Sequence, residues 1–372
     1  MSTSTERVAV VSSALSQLKP AWDTVQHIDL ISETVNKALL ASGFDLHDID
    51  VVIDCGSDVL DGRSISNCGF LGSMGAHHKE ESRVEEDGLF GAMYAVNKIL
   101  GEGAKVVLVV AYSKPSESIV ENYYSTIADP FYQRPVGLNK AVAAGLLANQ
   151  YLGLSDATEE DLAIIAAHAW ARASKNHSVS DTRAYSVEDI LGSPLVASPL
   201  NQLSLSRPVD GAVAMIFARG DIARKNGGSP VWVTGMGSAM ESQFLSDREP
   251  GRLEAAEVAA SMALRRAGGK AATSYGLAEV SATSASDEAM VVEALGLAGR
   301  GKAASVYDGA TTINPSGGAI PADPIMATGL VRMHEAANRL AGREDDYPAT
   351  SALVHGAGGI GMQTHSVFSL EV

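Results

Sequence analysis

The stretch from Thr311 to Gly361 constrains the fold more than any other part of the chain. It opens on a breaker-rich turn, Asn314-Pro315-Ser316-Gly317-Gly318, that no regular element tolerates. Ile325, Leu330, Met333, Ala337 and Leu340 then recur at helical spacing, which predicts a buried helix over Met326 to Leu340. A short apolar strand, Ser351 to Val354, leads into a second glycine turn from His355 to Gly361. Turn, buried helix, strand and turn require a helix packed on a sheet. Both turns lack the side chains that would keep a ligand away from backbone N–H groups.

Upstream, the same order of elements occurs twice. Val8 to Ser12 reads as a strand, Ile28 to Ser42 as an amphipathic helix and Val51 to Asp54 as a buried strand. After the loop Cys55 to Asn67 and an acidic run, Glu80 to Asp87, the helix Gly88 to Leu100 precedes Val106 to Ala111. That run, VVLVVA, suits a strand covered on both faces. The second set is Val231 to Thr234, the helix Leu253 to Ala267, Leu277 to Val280, the Asn314 turn, the helix ending at Leu340 and Ser351 to Val354. Ser366 to Val372 reads as an edge strand at the terminus. The order implies an α/β fold with an internal duplication. The expected division is 1–112 for the first half, 113–228 for an insertion with the strand that closes that half, and 229–372 for the second half. The insertion carries the aromatic loop Tyr123 to Tyr132 and the helices Leu138 to Tyr151 and Glu159 to Lys175.

The C-terminal stretch resembles the thiolase superfamily, whose pattern there is an Asn-x-x-Gly-Gly turn, a Gly-His-Pro loop, a helix and a Cys-x-Gly-Gly-Gly turn. Ser206-Arg207-Pro208-Val209-Asp210-Gly211-Ala212 resembles the family's Asp-Gly-Ala-Ala strand entry. The likeness covers nearly the whole chain and implies the thiolase fold: duplicated α/β halves forming a five-layered core with an inserted lid domain. The chemistry is altered. Asp323-Pro324 stands where the His-Pro pair is expected, and His355 where the second cysteine would be. Ser281 takes the place of an amide or imidazole donor to the thioester oxygen. At the head of the central helix, where the family places its nucleophilic cysteine, alignment puts either Glu86 or Glu85. Glu85, Glu86 and Asp87 either complement the helix N-terminus or aim a carboxylate into the pocket.

The resemblance thus implies His355, Asp323, Glu86 and Ser281 as catalytic candidates. It implies Asn314, Gly317, Gly318, Ala357, Gly358, Gly237 and Ser238 as substrate-binding positions. Arg63, between polar residues of the 58–66 loop, either neutralises a carboxylate or phosphate or is simply solvated. Cys55 and Cys68, the two cysteines, read as small core residues rather than displaced nucleophiles. Gly356 to Gly361 satisfies the Gly-x-Gly-x-x-Gly string, but too little chain follows for a crossover helix and strand, so dinucleotide binding is not expected. The adjacent His77 and His78 do not suggest a metal site.

A formal net charge of −16 argues against nucleic acid and anionic membranes as partners. A CoA ester would need a local basic patch, for which Arg219, Arg224 and Lys225 are candidates, a solvated helix end being the alternative. Neither a leader pattern nor a membrane-length apolar run occurs, so a cytoplasmic protein is expected.

The expected function is a thiolase-like enzyme of lipid metabolism that makes or breaks a C–C bond in an acyl-CoA, as an acyltransferase (a transferase) or a retro-aldol C–C lyase, without a cysteine acyl-enzyme. The alternative is a catalytically silent subunit supporting an active partner. A third reading is ordinary thiolysis with a relocated cysteine. The resemblance implies no permanently bound cofactor, with the CoA thioester as substrate. It also implies a homodimer or a thiolase-like heterodimer, and by analogy a small OB-fold, zinc-ribbon subunit.

Overall fold

The computed structural model describes residues 7–225, 229–344 and 346–372. The boundary expected at 228, and the first residues on which the leader reading rests, lie outside them. The strands of the main sheet are β1 (Val8–Leu15), β2 (Val51–Cys55), β3 (Glu80–Arg83), β4 (Val106–Ser113), β5 (Gly211–Arg219), β6 (Val231–Met240), β7 (Leu277–Val280), β8 (Thr312–Ile313), β9 (Ser351–Gly358) and β10 (Thr364–Glu371). The longer helices are α1 (His27–Ser42), α2 (Gly88–Leu100), α3 (Val120–Ile127), α4 (Lys140–Leu154), α5 (Glu159–Ala173), α6 (Glu254–Arg266), α7 (Ala285–Ala294) and α8 (Thr328–Leu340).

The ten strands lie in the order β8-β7-β9-β10-β6-β1-β5-β4-β2-β3. Outward from the β6–β1 seam, one half runs β1-β5-β4-β2-β3 and the other β6-β10-β9-β7-β8, so each strand has its counterpart five numbers on. The pairings match as well. The two pairs nearest the seam are antiparallel in each half and the two outer pairs are parallel. The duplication expected from element order is therefore present strand for strand. The seam itself is a short antiparallel pairing of Val8, Ala9 and Val10 with Val233, Trp232 and Val231.

Three apolar clusters separate five layers. α1 packs on the outer face of the first half through Leu30, Ile31, Val35, Val52, Leu108 and Ile216. α2 and α8 form the middle layer between the halves, with Leu89, Ala92, Leu330, Met333, Val354 and Phe368 in one cluster. α6 and α7, with α4 and α5 of the insertion, cover the outer face of the second half. Every residue of α8 is buried. Its polar residues are tolerated because each finds a partner: Arg332 on Glu279 at 3.1 Å, His334 on Ser13 at 2.8 Å and Arg339 on Glu335 at 2.6 Å. No helix of the described residues is long and apolar enough to cross a membrane.

The structure departs from the sequence reading in three places. β10 is an interior strand between β9 and β6, not an edge. His365, Ser366 and Ser369 are fully buried, and the Ser369 hydroxyl meets Thr234 at 2.6 Å and Tyr275 at 2.8 Å. The edge of the first half is instead β3, drawn from the acidic run, where charged side chains protect an open ladder. The glycine turn is shorter than expected because β9 continues to Gly358 and pairs with β10 through Gly358 opposite Thr364. Gly359 and Gly361, both at positive φ, make the connection to β10, an antiparallel neighbour, so no helix follows them.

Candidate functional site

The N-termini of α2 and α8 meet in the middle layer, and Asp87 joins them. It is the N-cap of α2, accepting the Leu89 N–H on Oδ1 at 3.0 Å, and it accepts the Gly329 N–H of α8 on Oδ2 at 2.7 Å. One carboxyl thus satisfies two amides that helix ends leave without a partner. The close approach depends on missing side chains. A Cβ at Gly329 would lie 2.0 Å from Asp87 Oδ1, and one at Gly356 2.7 Å from it. Burial pushes the Asp87 carboxyl up to about 8, although the Gly329 and Leu89 N–H groups pull the other way.

Glu86 and Glu85 part company here. Glu86 turns inward over β9, so that a Cβ at Gly358 would fall 1.8 Å from its Oε1. Burial raises its carboxyl above the ordinary carboxylate range, tempered by the Asp87 N–H. Glu85 is exposed and accepts the Asp58 N–H at 2.8 Å, away from the helix ends. Glu86 is therefore the residue that occupies the pocket at the head of α2.

Asp323 enters from the loop before α8. Its Oδ2 accepts Lys140 Nζ at 2.9 Å and the Ser206 hydroxyl at 2.6 Å, and its Oδ1 accepts the Thr328 hydroxyl at 2.7 Å. Lys140 also contacts Ser206. Burial alone would push the Asp323 carboxyl up, but Lys140 and the two hydroxyls outweigh it and hold it below the ordinary range. The site thus contains one carboxylate fixed in its charged form beside two carboxyls pushed toward neutrality.

Glu86, Asp87 and Asp323 line one small cavity of about 40 Å³ together with Ser281, Ala357 and Gly358. Ser281 lies just after β7, its N–H bonded to the His355 carbonyl at 3.1 Å. Its hydroxyl is buried without a hydrogen-bond partner among the described residues, so it is available to a ligand oxygen. The mouth is walled by Tyr123 and Tyr124 of α3 against Ile325 and Met326, with Tyr123 Oη 3.5 Å from Met326 Sδ. Carboxyl groups and a free hydroxyl lining one small cavity suit proton transfer at a developing oxyanion.

The other predicted residues lie elsewhere. His355 is on β9 but faces the opposite side from Gly356 and Gly358. Its Nε2 lies 3.0 Å from His365 Nδ1, both rings fully buried. Burial and the neighbouring ring hold His355 well below its ordinary value, and His365 is pushed down to about 3, so both are neutral near pH 7. His355 does not line the cavity. Asn314 bonds the Val280 N–H at 2.7 Å, and a Cβ at Gly318 would run into Asn314 itself. Gly317, at φ 102°, is pressed against Ala173. This turn is packed beneath the insertion rather than open to the cavity. Gly237 lets β6 lie on α6, since a Cβ there would be 2.2 Å from the Ala259 carbonyl; Ser238 pairs with Ser366 beside it. Arg63 is exposed, its guanidinium 5.1 Å from the centre of the Phe70 ring. Cys55 is buried beneath Gly91 of α2, and Cys68 is exposed on a surface helix of four residues.

Lys140, Ser206 and Thr328 were not singled out as site residues, and Asp87 was named only among the acids at the head of the helix. An Asp directly before an apolar helical run is an N-cap signal, so Asp87 carried a local clue. Lys140 carried none, because its partner is 183 residues away.

Comparison with known proteins agrees with this architecture. Residues 237–369 match the family described as thiolase C-terminal domain-like. An acetyl-CoA acetyltransferase of Methanothermobacter thermautotrophicus is 25% identical over 375 residues, covering 95% of this chain and 97% of that protein. A 17-hydroxy-3-oxo-4-pregnene-20-carboxyl-CoA lyase of Mycobacterium tuberculosis is 30% identical over 113 residues, 28% of each chain. Among solved structures, the Ltp2-ChsH2(DUF35) aldolase superposes with a TM-score of 0.85 at 19% identity, over 99% of this chain and 98% of that one. With the strand-for-strand duplication, these likenesses show a thiolase fold whose C-terminal half carries the thiolase C-terminal domain-like match.

Proposed function

We propose that this protein is an enzyme that cleaves or forms a C–C bond in an acyl-CoA thioester by retro-aldol chemistry, without a cysteine acyl-enzyme. One observation carries the reading: the helix end that points into the cavity presents Glu86 and Asp87, while neither thiol lines the cavity. In the cleavage direction, Glu86 takes the proton of a 3-hydroxyl group. The C–C bond breaks, the hydroxyl carbon leaves as a carbonyl, and the bonding pair forms the thioester enolate. The Ser281 hydroxyl donates to the enolate oxygen. Asp87, which retains its proton near neutral pH, supplies the proton that the enolate carbon needs. The names of the relatives, a CoA lyase and acetyl-CoA acetyltransferases, support an acyl-CoA substrate. The aldolase neighbour, named as a complex with a DUF35 protein, supports a second subunit beside this one.

The cavity of about 40 Å³ favours a second reading, a subunit without turnover of its own. Incubating the protein with 3-hydroxyacyl-CoA and 3-oxoacyl-CoA esters, with chromatographic detection of the shortened thioester, separates the two. The enzyme reading expects cleavage of the 3-hydroxyacyl ester that Glu86→Gln lowers at least about 100-fold. CoA-ester binding without turnover, alone or with a DUF35-type partner, would leave the silent subunit.

A further inference from the structure

β10 carries three hydroxyl side chains, Thr364, Ser366 and Ser369, and two of them are spent. Ser369 meets Thr234 at 2.6 Å and Tyr275 at 2.8 Å, and Ser366 reaches the Gly356 carbonyl at 3.5 Å. Thr364, at the head of the strand, is different. Its side chain is buried, and its hydroxyl is closed off from solvent without a hydrogen-bond partner among the described residues. An unpaired buried hydroxyl is costly to keep, so what it faces matters.

It faces Glu86. Thr364 lies opposite Gly358 in the β9–β10 ladder, and cross-strand partners present the same face of the sheet. Gly358 has no side chain to fill that face: a Cβ there would collide with Glu86 Oε1 and stand 3.0 Å from Thr364 Oγ1. The two oxygens thus converge on one point, one from the head of α2 and one from β10, through the gap the glycine leaves. Burial raises the Glu86 carboxyl; the Asp87 N–H and, at this separation, the Thr364 hydroxyl oppose the rise. The other ionisable groups around Glu86 are Glu85 and Asp87 beside it in the chain, Asp323 before α8 and Tyr123 of α3. His355 and His365 lie on the opposite face of the ladder.

We propose that Thr364 is the positioning residue for Glu86: when Glu86 ionises, the Thr364 hydroxyl donates to its carboxylate and holds it over Gly358, facing the cavity. Its catalytic meaning rests on the reading of Glu86 as base given above; the pairing itself is measurable without turnover. Urea denaturation of the full chain from pH 5 to 9 is run on wild type, Thr364→Val, Glu86→Gln and the double variant. A hydrogen bond to a charged group is worth about tenfold or more in equilibrium. Wild type is therefore expected to gain about tenfold in folding equilibrium over Thr364→Val as pH rises through the raised Glu86 value, because only the ionised carboxylate uses the hydroxyl. With glutamine at 86 that gain is expected to vanish, while the other acids titrate alike in both members of each pair. Thr364→Ala repeats the test should valine disturb the strand. In the 3-hydroxyacyl-CoA cleavage assay, Thr364→Val is expected to move the Glu86 limb of the pH–rate profile up by about one pH unit, and Thr364→Ser, which keeps the hydroxyl, to bring it back. A stability difference that is flat with pH, or the same with glutamine at 86, would overturn the pairing, and cleavage by wild type would then leave the wider reading intact. A titrating difference without any cleavage would keep the pairing and overturn the base role.

Discussion

Asp87→Asn offers the most demanding test of the site. The Asp87 carboxyl rises from its ordinary 3.8 to about 8 in the fold because it is buried. In the unfolded chain it ionises near pH 4; in the folded chain it keeps its proton until near pH 8. Between those values folding takes up a proton, so the contribution is fully present below about pH 4 and is lost as pH rises through about 8. At about 1.4 kcal/mol for each tenfold difference, the loss is on the order of 5 kcal/mol. Asparagine has no proton to lose, but its amide nitrogen faces one of the two N–H groups and leaves that donor unsatisfied, at about 1–3 kcal/mol. The variant is therefore expected to be less stable than wild type at pH 4.5 and more stable at pH 8, the curves crossing between about pH 5 and 6. Urea denaturation of both proteins from pH 4.5 to 9 reads this directly. Other buried acids, such as Asp54 and Glu288, each pushed up to about 7, tilt both curves alike and cancel in the difference. Parallel curves would refute a protonated Asp87 bridging the helix ends.

Three further outcomes are expected. Gly358→Ala places a Cβ where Glu86 Oε1 now sits; because the obstacle is the end of a flexible side chain, a stability loss of only about 1 kcal/mol in urea should accompany a fall of at least about 100-fold in 3-hydroxyacyl-CoA cleavage. Lys140→Met leaves Asp323 as a buried unpaired charge, at about 3–5 kcal/mol near pH 7. Since Asp323 is held low in the fold, wild type loses that contribution as pH falls through the lowered value, and the difference in denaturation midpoint should shrink toward pH 3. The rate of cleavage should rise with pH through a limb above the ordinary glutamate value, because Glu86 must ionise to act as base, and Glu86→Gln should remove that limb from the pH–rate profile.

Much of the scaffold was legible because it depends on local pattern. Gly88–Leu100 and Leu277–Val280 have the bounds their apolar spacing predicts, and VVLVVA sits in the interior of the first half. What sequence could not give was orientation and long-range pairing. The alternation of a strand places His355 on the face opposite Gly356, and a ring drawn on a presumed glycine turn has no such constraint. β10, read as an edge strand, is interior because its polar residues are satisfied by partners on β6 and near β7, far away in sequence. α7 escaped notice for a related reason: eight consecutive residues, Ala285 to Val292, are buried, including Asp287 and Glu288, so no amphipathic stripe marks it.

The duplication also explains why acids from the head of one helix reach the head of another at this site. α2 and α8 are counterparts in the two halves, and packing them in one layer brings their N-termini together. Each end carries roughly half a positive charge, so the meeting point favours an anion whatever its chemical identity. A carboxyl group there can accept amides from both helices at once, as Asp87 does, and its burial outweighs the helix ends, so that it keeps its proton up to about pH 8. The glycines at 329, 356 and 358 fit carboxyl groups, since any side chain there would collide with Asp87 or Glu86. An acid at this point therefore keeps both helix ends satisfied without presenting a thiol. In the proposed reading Glu86 and Asp87 act as a pair of proton-transfer groups, which suits moving a proton and breaking a C–C bond rather than storing an acyl group on the protein.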